Sequence, residues 1–142
     1  MVMNSKGFTL IELVMITIIL GILAAVAIPS YQRTLYNAEV RTEKAFANQV
    51  WVGLESEAQN RLMEDGTESW PYNPLITIKR SRNIKVNLEL GIPNEDNEWQ
   101  FSLDVDGEPA ILHQRPNDEI YYYEYDSTLF YLAEEPILYI AQ

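Results

Sequence analysis

Near the N-terminus, Glu12 is the residue that could most clearly do chemistry, because it is the one charged residue in an otherwise apolar run. That run extends over 21 residues from Phe8 to Ile28, and Glu12 lies four positions after Phe8. An ionised carboxylate deep in a bilayer costs about 2.5–3.5 kcal/mol on insertion scales. A plain hydrophobic anchor gains nothing from such a group, so the pattern predicts a task for Glu12.

Few other residues offer chemistry. The chain of 142 residues has no cysteine and a single histidine, His113, which excludes disulfides, thiol catalysis and His-rich zinc sites. Asp104, Asp106 and Glu108 surround a turn and offer oxygen ligands for calcium, but a solvated acidic turn is the simpler interpretation. We therefore predict no enzyme activity, no metal and no cofactor. The net charge of −11 predicts no binding to nucleic acid, whose phosphates it would repel.

A long helix in two parts can be placed from the pattern. Residues 8–28 would form a helix of about 31 Å, close to the thickness of a bilayer's hydrocarbon core. Residues 29–65 predict an amphipathic continuation that stops at Asp65-Gly66. Apolar or small residues recur on one face, namely Leu35, Ala38, Thr42, Ala45, Phe46, Val50, Leu54, Ala58 and Leu62. Charged residues, including Glu43, fill the other positions.

After Gly66, residues 66–142 have the composition of a small β-sheet region. Prolines interrupt the chain, and β-branched and aromatic residues dominate between them. The predicted strands are Leu75–Lys79, Ile84–Leu90, Glu98–Val105, Ala110–Gln114, Ile120–Tyr125, Thr128–Leu132 and a short Ile137–Ile140. The predicted fold is α+β, a long N-terminal helix whose amphipathic half packs on an antiparallel sheet.

Asp106-Gly107 is a favoured type I′ turn pair and predicts the clearest hairpin. In that register Val105 faces Glu108, Leu103 faces Ala110, and Phe101 faces Leu112. The side chains of Trp99, Phe101, Leu103 and Val105 then form one apolar face. His113 pairs with Gln100 and is predicted to be a solvated surface residue.

Besides a chance arrangement of residues, two ordinary interpretations of the N-terminus compete with a functional one. The first is a plain transmembrane anchor. The second is a secretory signal peptide, with Lys6 as its basic residue and cleavage after Ala27 in Ala25-Val26-Ala27. The mature protein would then be a soluble periplasmic binding domain.

The run Gly7-Phe8-Thr9-Leu10-Ile11-Glu12-Leu13 resembles the processing signature of type IV pilins and type II secretion pseudopilins. The resemblance covers about the first 30 residues strongly and extends to Gly21 and Pro29, where that family often has a glycine and a helix-disturbing proline. It implies that residues 1–7 are a leader and that a prepilin peptidase cuts between Gly7 and Phe8. Phe8 would then be N-methylated.

The resemblance also implies a role for Glu12. The new ammonium group of Phe8, one helical turn away, would pair with Glu12 of the same subunit or of a neighbour. Both charges are costly alone and tolerable together. Pro29 leaves the carbonyl of Ala25 without its helical partner. The helix is therefore expected to kink there, and the resemblance implies that it melts locally between Gly21 and Pro29 on assembly.

The function implied is that of a structural subunit of a type IV pilus, major or minor. The alternative is a pseudopilin of a type II secretion or DNA-uptake system. The expected partners are other pilins in a homo-oligomeric or mixed filament, the peptidase and N-methyltransferase, and an inner-membrane assembly platform. The chain would cross the bacterial inner membrane once and then enter an extracellular or periplasm-spanning filament.

Overall fold

The computed structural model describes residues 7–78 and 84–140. Its first element is the helix α1, Leu10–Asp65, of 56 residues. Gly66 follows with a φ of 73°, a left-handed conformation that glycine adopts without strain and that commonly ends helices. The helix predicted to stop at Asp65-Gly66 does so.

The chain divides into two compact units, residues 1–40 and 41–142. In the first unit, α1 exposes apolar side chains on all sides, as expected for a helix whose surroundings are themselves apolar. Within the described residues, α1 is the one helix long and apolar enough to cross a membrane. It runs through Gly21 and Pro29 as continuous helix. Local melting between them stays a prediction for the assembled state.

The second unit carries a six-stranded sheet. Its strands are β1 (Lys85–Leu90), β2 (Glu98–Val105), β3 (Glu108–Gln114), β4 (Ile120–Asp126), β5 (Tyr131–Leu132) and β6 (Ile137–Leu138). The order is β1-β2-β3-β4-β5, and β6 pairs with β4. The pairing of β1 with β2 is parallel and the others are antiparallel. The predicted helix packed on a small antiparallel sheet is confirmed, except that β1 is parallel to β2 because residues 91–97 return the chain to the start of β1.

A 3₁₀ helix, Pro74–Thr77, replaces the predicted strand Leu75–Lys79, of which Lys79 lies outside the described residues. The side chain of Asn73 accepts a hydrogen bond from the backbone N–H of Leu75 at 2.9 Å. Pro74 at the first helical position has its φ already set for a helix. These two local effects outweigh the β-propensity of the following residues.

The predicted strand Thr128–Leu132 is shortened to β5, and Ile137–Ile140 is shortened to β6. The cause of the first change is Asp126, whose Oδ1 accepts hydrogen bonds from the backbone N–H groups of Thr128 and Leu129. This side chain holds the residues after β4 in a turn.

The apolar face of α1 in the second unit packs on one face of the sheet. Its four fully buried apolar residues, each four positions from the next, are Phe46, Val50, Leu54 and Ala58. They share a core with residues of the sheet that include Trp99, Phe101, Ile111, Tyr123 and Tyr125. The predicted stripe is confirmed at these four positions, whereas Leu35, Ala45 and Leu62 are exposed.

The β2–β3 hairpin turns at Asp106-Gly107 as predicted, and Val105 pairs with Glu108. A bulge between Ser102 and Val105 then adds one residue to β2. Beyond the bulge the register differs by one from the prediction. Phe101 faces Ile111 rather than Leu112.

A one-residue shift moves side chains to the opposite face of a sheet. Val105 therefore packs with Ala110 and Leu112 on the face away from the main core. Leu103 lines a groove together with Phe101, as expected for side chains on one face, but Leu103 is 37 % exposed whereas Phe101 is 1 % exposed. His113 faces Trp99 instead of Gln100, which places it on the core side.

Replacing Phe101 with alanine should lower the free energy of unfolding by about 3–5 kcal/mol, because the large side chain leaves a cavity in the core. The measurement is chemical denaturation of a fragment beginning at Ser30, which we expect to be soluble because the apolar run is absent.

Leu103→Ala in the same strand is the matched control, and it should cost less than about 1 kcal/mol because its side chain is already partly in water. Equal losses for the two variants would contradict the difference in burial between the two side chains.

Candidate functional site

The residues that resemble the processing signature lie in the first unit, around the start of α1. Gly7, Phe8 and Thr9 precede α1 and adopt no regular structure. The side chain of Phe8 is well exposed. The peptide bond between Gly7 and Phe8 thus lies in an exposed segment without regular secondary structure.

Glu12 is engaged by Thr9 in a capping box. Glu12 Oε2 accepts hydrogen bonds from the backbone N–H of Thr9 at 2.9 Å and from its hydroxyl at 2.8 Å. The Glu12 N–H in turn donates to Thr9 Oγ1 at 3.4 Å. Thr9 is the N-cap of α1 and Glu12 its third residue, so the pattern Thr-x-x-Glu satisfies backbone donors that the helix cannot. This capping role was not predicted, although the Thr-x-x-Glu spacing is typical of it.

The capping box directs the carboxylate toward the start of the helix, which is also the side from which Phe8 enters. The nitrogen of Phe8 is part of the peptide bond to Gly7 and carries no charge. It therefore cannot form an ion pair with Glu12. The structure therefore shows where the Glu12 carboxylate points when Phe8 is still joined to Gly7, and the charge pair stays a prediction.

A second polar cluster lies buried in the other unit. Glu43 is 1 % exposed, and its two oxygens accept hydrogen bonds from Arg115. Arg115 Nε lies 2.5 Å from Oε1, and Nη2 lies 2.6 Å from Oε2. His113 Nδ1 lies 2.9 Å from the same Oε1. This bidentate pair joins α1 to the end of β3, since fork-to-fork geometry fixes both position and orientation.

Aromatic rings enclose the cluster. The imidazole of His113 stacks on Trp99 with ring centroids 4.2 Å apart, and Trp99 stacks on Phe46 at 3.9 Å. The guanidinium carbon of Arg115 lies 3.6 Å from the ring centroid of Tyr121. The rings exclude water, which strengthens the electrostatic attraction within the cluster.

The cluster corrects two predictions. His113, predicted to be solvated, is buried because the bulge in β2 changes the register of the hairpin. Glu43, placed among the solvated charges of α1, is buried as well. One signal for it was present: Glu43 lies three residues before Phe46 and so falls on the same helical face as the buried stripe.

Burial raises the pKa of Glu43, but hydrogen bonds and charge attraction from Arg115 and His113 outweigh it and leave the pKa below its usual value. The pKa of Tyr123 is raised by burial and then by the nearby charge of Glu43. The cluster holds an ionised carboxylate in a folded domain. Among the described residues, no group of three or more His, Cys, Asp or Glu side chains could hold a metal ion.

Within the described residues, a helix long and apolar enough to cross a membrane leads into a helix-on-sheet domain. Residues 2–28 match the model of the prokaryotic N-terminal methylation motif. The chain is 40 % identical over 117 residues to a fimbrial protein of Moraxella nonliquefaciens, covering 75 % of this chain and 76 % of the relative. No solved structure matches. The chain belongs to the type IV pilin family.

Two further relatives share shorter stretches. The type IV major pilin protein PilE1 of Neisseria gonorrhoeae is 41 % identical over 95 residues, 61 % of this chain and 49 % of the relative. The type IV major fimbrial protein FimA of Dichelobacter nodosus is 43 % identical over 51 residues, 36 % of this chain and 33 % of the relative. The chain thus spans a third to a half of the length of these two.

Replacing Glu43 with glutamine should lower the free energy of unfolding of the Ser30 fragment by about 3–5 kcal/mol at neutral pH, because Arg115 loses its buried counter-charge. Glu64→Gln, at an exposed position near the end of the same helix, should stay within about 0.5 kcal/mol of wild type. Urea denaturation measures both.

Acid should shrink the difference between wild type and Glu43→Gln. The native pKa of Glu43 is lowered, so the stability it contributes is present above its unfolded pKa of about 4.3 and lost as the pH falls through the native value. A difference that stays constant down to the acid unfolding transition would contradict the ionised cluster.

Proposed function

We propose that this chain is the precursor of a type IV pilus subunit, cut between Gly7 and Phe8 and N-methylated on Phe8. The observation that carries the proposal is a membrane-length apolar helix with one carboxylate, Glu12, capped at Thr9 two residues after the accessible Gly7. Membership of the type IV pilin family supports a structural, non-enzymatic role as a pilin in a surface filament.

Cleavage changes the electrostatics of the N-terminus. It converts the nitrogen of Phe8 from a neutral peptide into an ammonium group, which methylation leaves charged. Glu12 lies in the first turn of α1, where the helix dipole also favours a negative charge. Its two contacts from Thr9 both fall on Oε2, and a carboxylate can accept further hydrogen bonds on its other oxygen.

The docking step follows from this arrangement. A neighbouring subunit that brings its Phe8 ammonium to Oε1 of Glu12 neutralises two charges that are each costly in an apolar filament core. Because the capping box holds the carboxylate toward the helix start, the amine finds it in a defined place. The pairing then sets the register of one subunit on the one before it.

The remaining partners are those that this route requires. They are a membrane prepilin peptidase with N-methyltransferase activity, and an inner-membrane platform that moves the subunit from its single-pass position into the filament. Gly21 and Pro29 are proposed to let α1 melt locally during that transfer, since Pro29 removes one backbone hydrogen bond and glycine has low helix propensity.

Processing is tested by intact-mass spectrometry of the protein recovered from membranes. The mature chain should begin at a methylated Phe8. Gly7→Leu should accumulate uncut precursor, because a bulky side chain at the scissile bond obstructs the peptidase. A mature chain that begins at Ile28 would instead identify a signal peptide and a soluble periplasmic domain.

Glu12→Ala should leave membrane levels and cleavage unchanged and yield few or no filaments. Removing the charge eases insertion by up to about 2.5–3.5 kcal/mol but leaves the Phe8 ammonium without a partner. Membrane fractionation beside recovery of sheared filaments makes the measurement.

Glu12→Asp should be intermediate in the same assay, because its carboxylate is one methylene shorter. Thr9→Ser keeps the capping box and is the matched control at the neighbouring position. A wild-type filament yield from Glu12→Ala would remove the charge-pairing mechanism even with the family assignment intact.

A further inference from the structure

The Lys and Arg side chains of the described residues fall into two groups. One group is ion-paired with glutamate, and its pairs are Lys44 with Glu135, Arg61 with Glu57, Lys85 with Glu95 and Arg115 with Glu43. Arg33 and Arg41 form the other group and have no carboxylate partner among the described residues. Within the part of the chain that the structure describes, the cations without a partner are therefore the two nearest to the apolar run that ends at Ile28.

Arg33 follows the apolar run at the depth of lipid headgroups. The hydrocarbon core of a bilayer is about 30 Å thick and the whole bilayer about 40–45 Å, which leaves roughly 5–8 Å for the headgroups on each side. At a rise of about 1.5 Å per residue, Arg33 lies about 8 Å beyond Ile28 along α1. Helical side chains tilt toward the N-terminus of their helix, which here is the direction of the apolar run. When that run spans a bilayer, the exposed Arg33 side chain is therefore within reach of the headgroups.

Two tyrosines, Tyr31 and Tyr36, flank Arg33 in the same segment of α1 and are 64 % and 53 % exposed. Tyrosine is enriched where membrane meets water, because its ring is apolar and its hydroxyl is polar. At about 100° per residue, Arg33 and Tyr36 lie about 200° and 140° around the helix from Tyr31. Tyr31 is thus on the side of α1 opposite the other two. A bilayer surrounds a helix, whereas a protein partner contacts one face, so this distribution favours lipid.

The charge of Arg33 suits a phosphate-bearing surface. A guanidinium group binds phosphate oxygens through two parallel hydrogen bonds, which an exposed arginine without a carboxylate partner is able to form. The chain as a whole has a net charge of −11, so an anionic membrane surface repels most of it. A cation at headgroup depth offsets that repulsion at the one place where the chain leaves the bilayer.

We propose that Tyr31, Arg33 and Tyr36, which we call the collar, bind the headgroups of anionic phospholipids where α1 leaves the membrane. Arg33 binds the lipid phosphate, and the two tyrosine rings lie between hydrocarbon and water. The inference rests on the membrane-inserted stage of the proposed function and names the lipid that the subunit contacts before assembly. The contact fixes how deeply α1 lies in the bilayer, and it must break when the subunit enters a filament.

Native mass spectrometry of the full chain tests the contact. The protein is purified in a mild detergent and mixed with equal amounts of phosphatidylglycerol, which is anionic, and phosphatidylcholine, which is zwitterionic. Wild type should retain mainly phosphatidylglycerol. Arg33→Gln should lower the bound phosphatidylglycerol about fivefold, the factor expected for the loss of one cation near an anionic surface. Arg33→Lys should be intermediate, because lysine keeps the charge without the bidentate geometry. Arg61→Gln removes a cation that is paired with Glu57, and this matched control should bind like wild type.

Other ligands of Arg33 give different results, each of which overturns the proposal. Inorganic phosphate that displaces phosphatidylglycerol at constant ionic strength would identify free phosphate as the ligand. Wild-type lipid binding by Arg33→Gln together with a loss of filaments would identify a second copy as the partner. The same spectra give the mass of the chain. A chain that begins at Ile28 overturns the proposed function, whereas a chain that keeps its apolar run and shows no preference for phosphatidylglycerol overturns the lipid contact alone.

Thiol reactivity in vesicles gives a second readout, because the chain has no native cysteine. Gln32→Cys, exposed beside Arg33, should react more slowly with a bulky uncharged maleimide in phosphatidylglycerol vesicles than in phosphatidylcholine vesicles. Adding Arg33→Gln should remove that difference, since the headgroups are no longer held at the collar. Met63→Cys, at a position that is 85 % exposed, is the reference and should react equally in both. A difference at Gln32→Cys that persists with Arg33→Gln overturns the role of Arg33.

Discussion

An ionised carboxylate removed from water must be given partners, and this constraint shapes both halves of the protein. Glu12 stands in a run of apolar residues suited to lipid, and Glu43 is buried in a folded core. Thr9 donates hydrogen bonds to the Glu12 carboxylate, while Arg115 and His113 bind the Glu43 carboxylate. Each set of contacts also fixes a structural feature. The contact of Thr9 with Glu12 fixes the start of α1, and the contact of Arg115 with Glu43 fixes how α1 attaches to β3.

The attachment of α1 to β3 through Glu43 matters because no disulfide links the parts of the domain. With no cysteine in the chain, the C-terminal residues are retained by packing and by backbone bonds, such as that from the Tyr139 N–H to the Ile120 carbonyl at 2.8 Å. Lys44 of α1 also reaches Glu135 at 2.6 Å, but this pair is exposed and contributes little. The buried pair of Glu43 with Arg115 is the polar contact best placed to hold helix and sheet in one register.

Local signals in the sequence were sufficient for much of the fold. The end of α1, the bounds of β2 and the burial of Phe101 follow from periodicity and turn chemistry. The errors come from effects that periodicity does not contain. One inserted residue between Ser102 and Val105 shifts β3 by one position relative to Phe101. The side chains of β3 therefore change faces, and His113 moves from the surface to the core. The parallel placement of β1 depends on where a loop returns, which its own residues do not specify.

The two sites differ in the same way. The signature that begins at Gly7 and the pair of Thr9 with Glu12 lie within seven consecutive residues, so local spacing is enough to indicate them. Glu43 and Arg115 are 72 positions apart, and only folding brings them together. On a helix that already places Phe46, Val50 and Leu54 inward, however, a carboxylate three residues before Phe46 must either distort the face or find a cation. A charged residue that falls on the apolar face of a helix therefore predicts a buried partner of opposite charge, even where the sequence does not identify that partner.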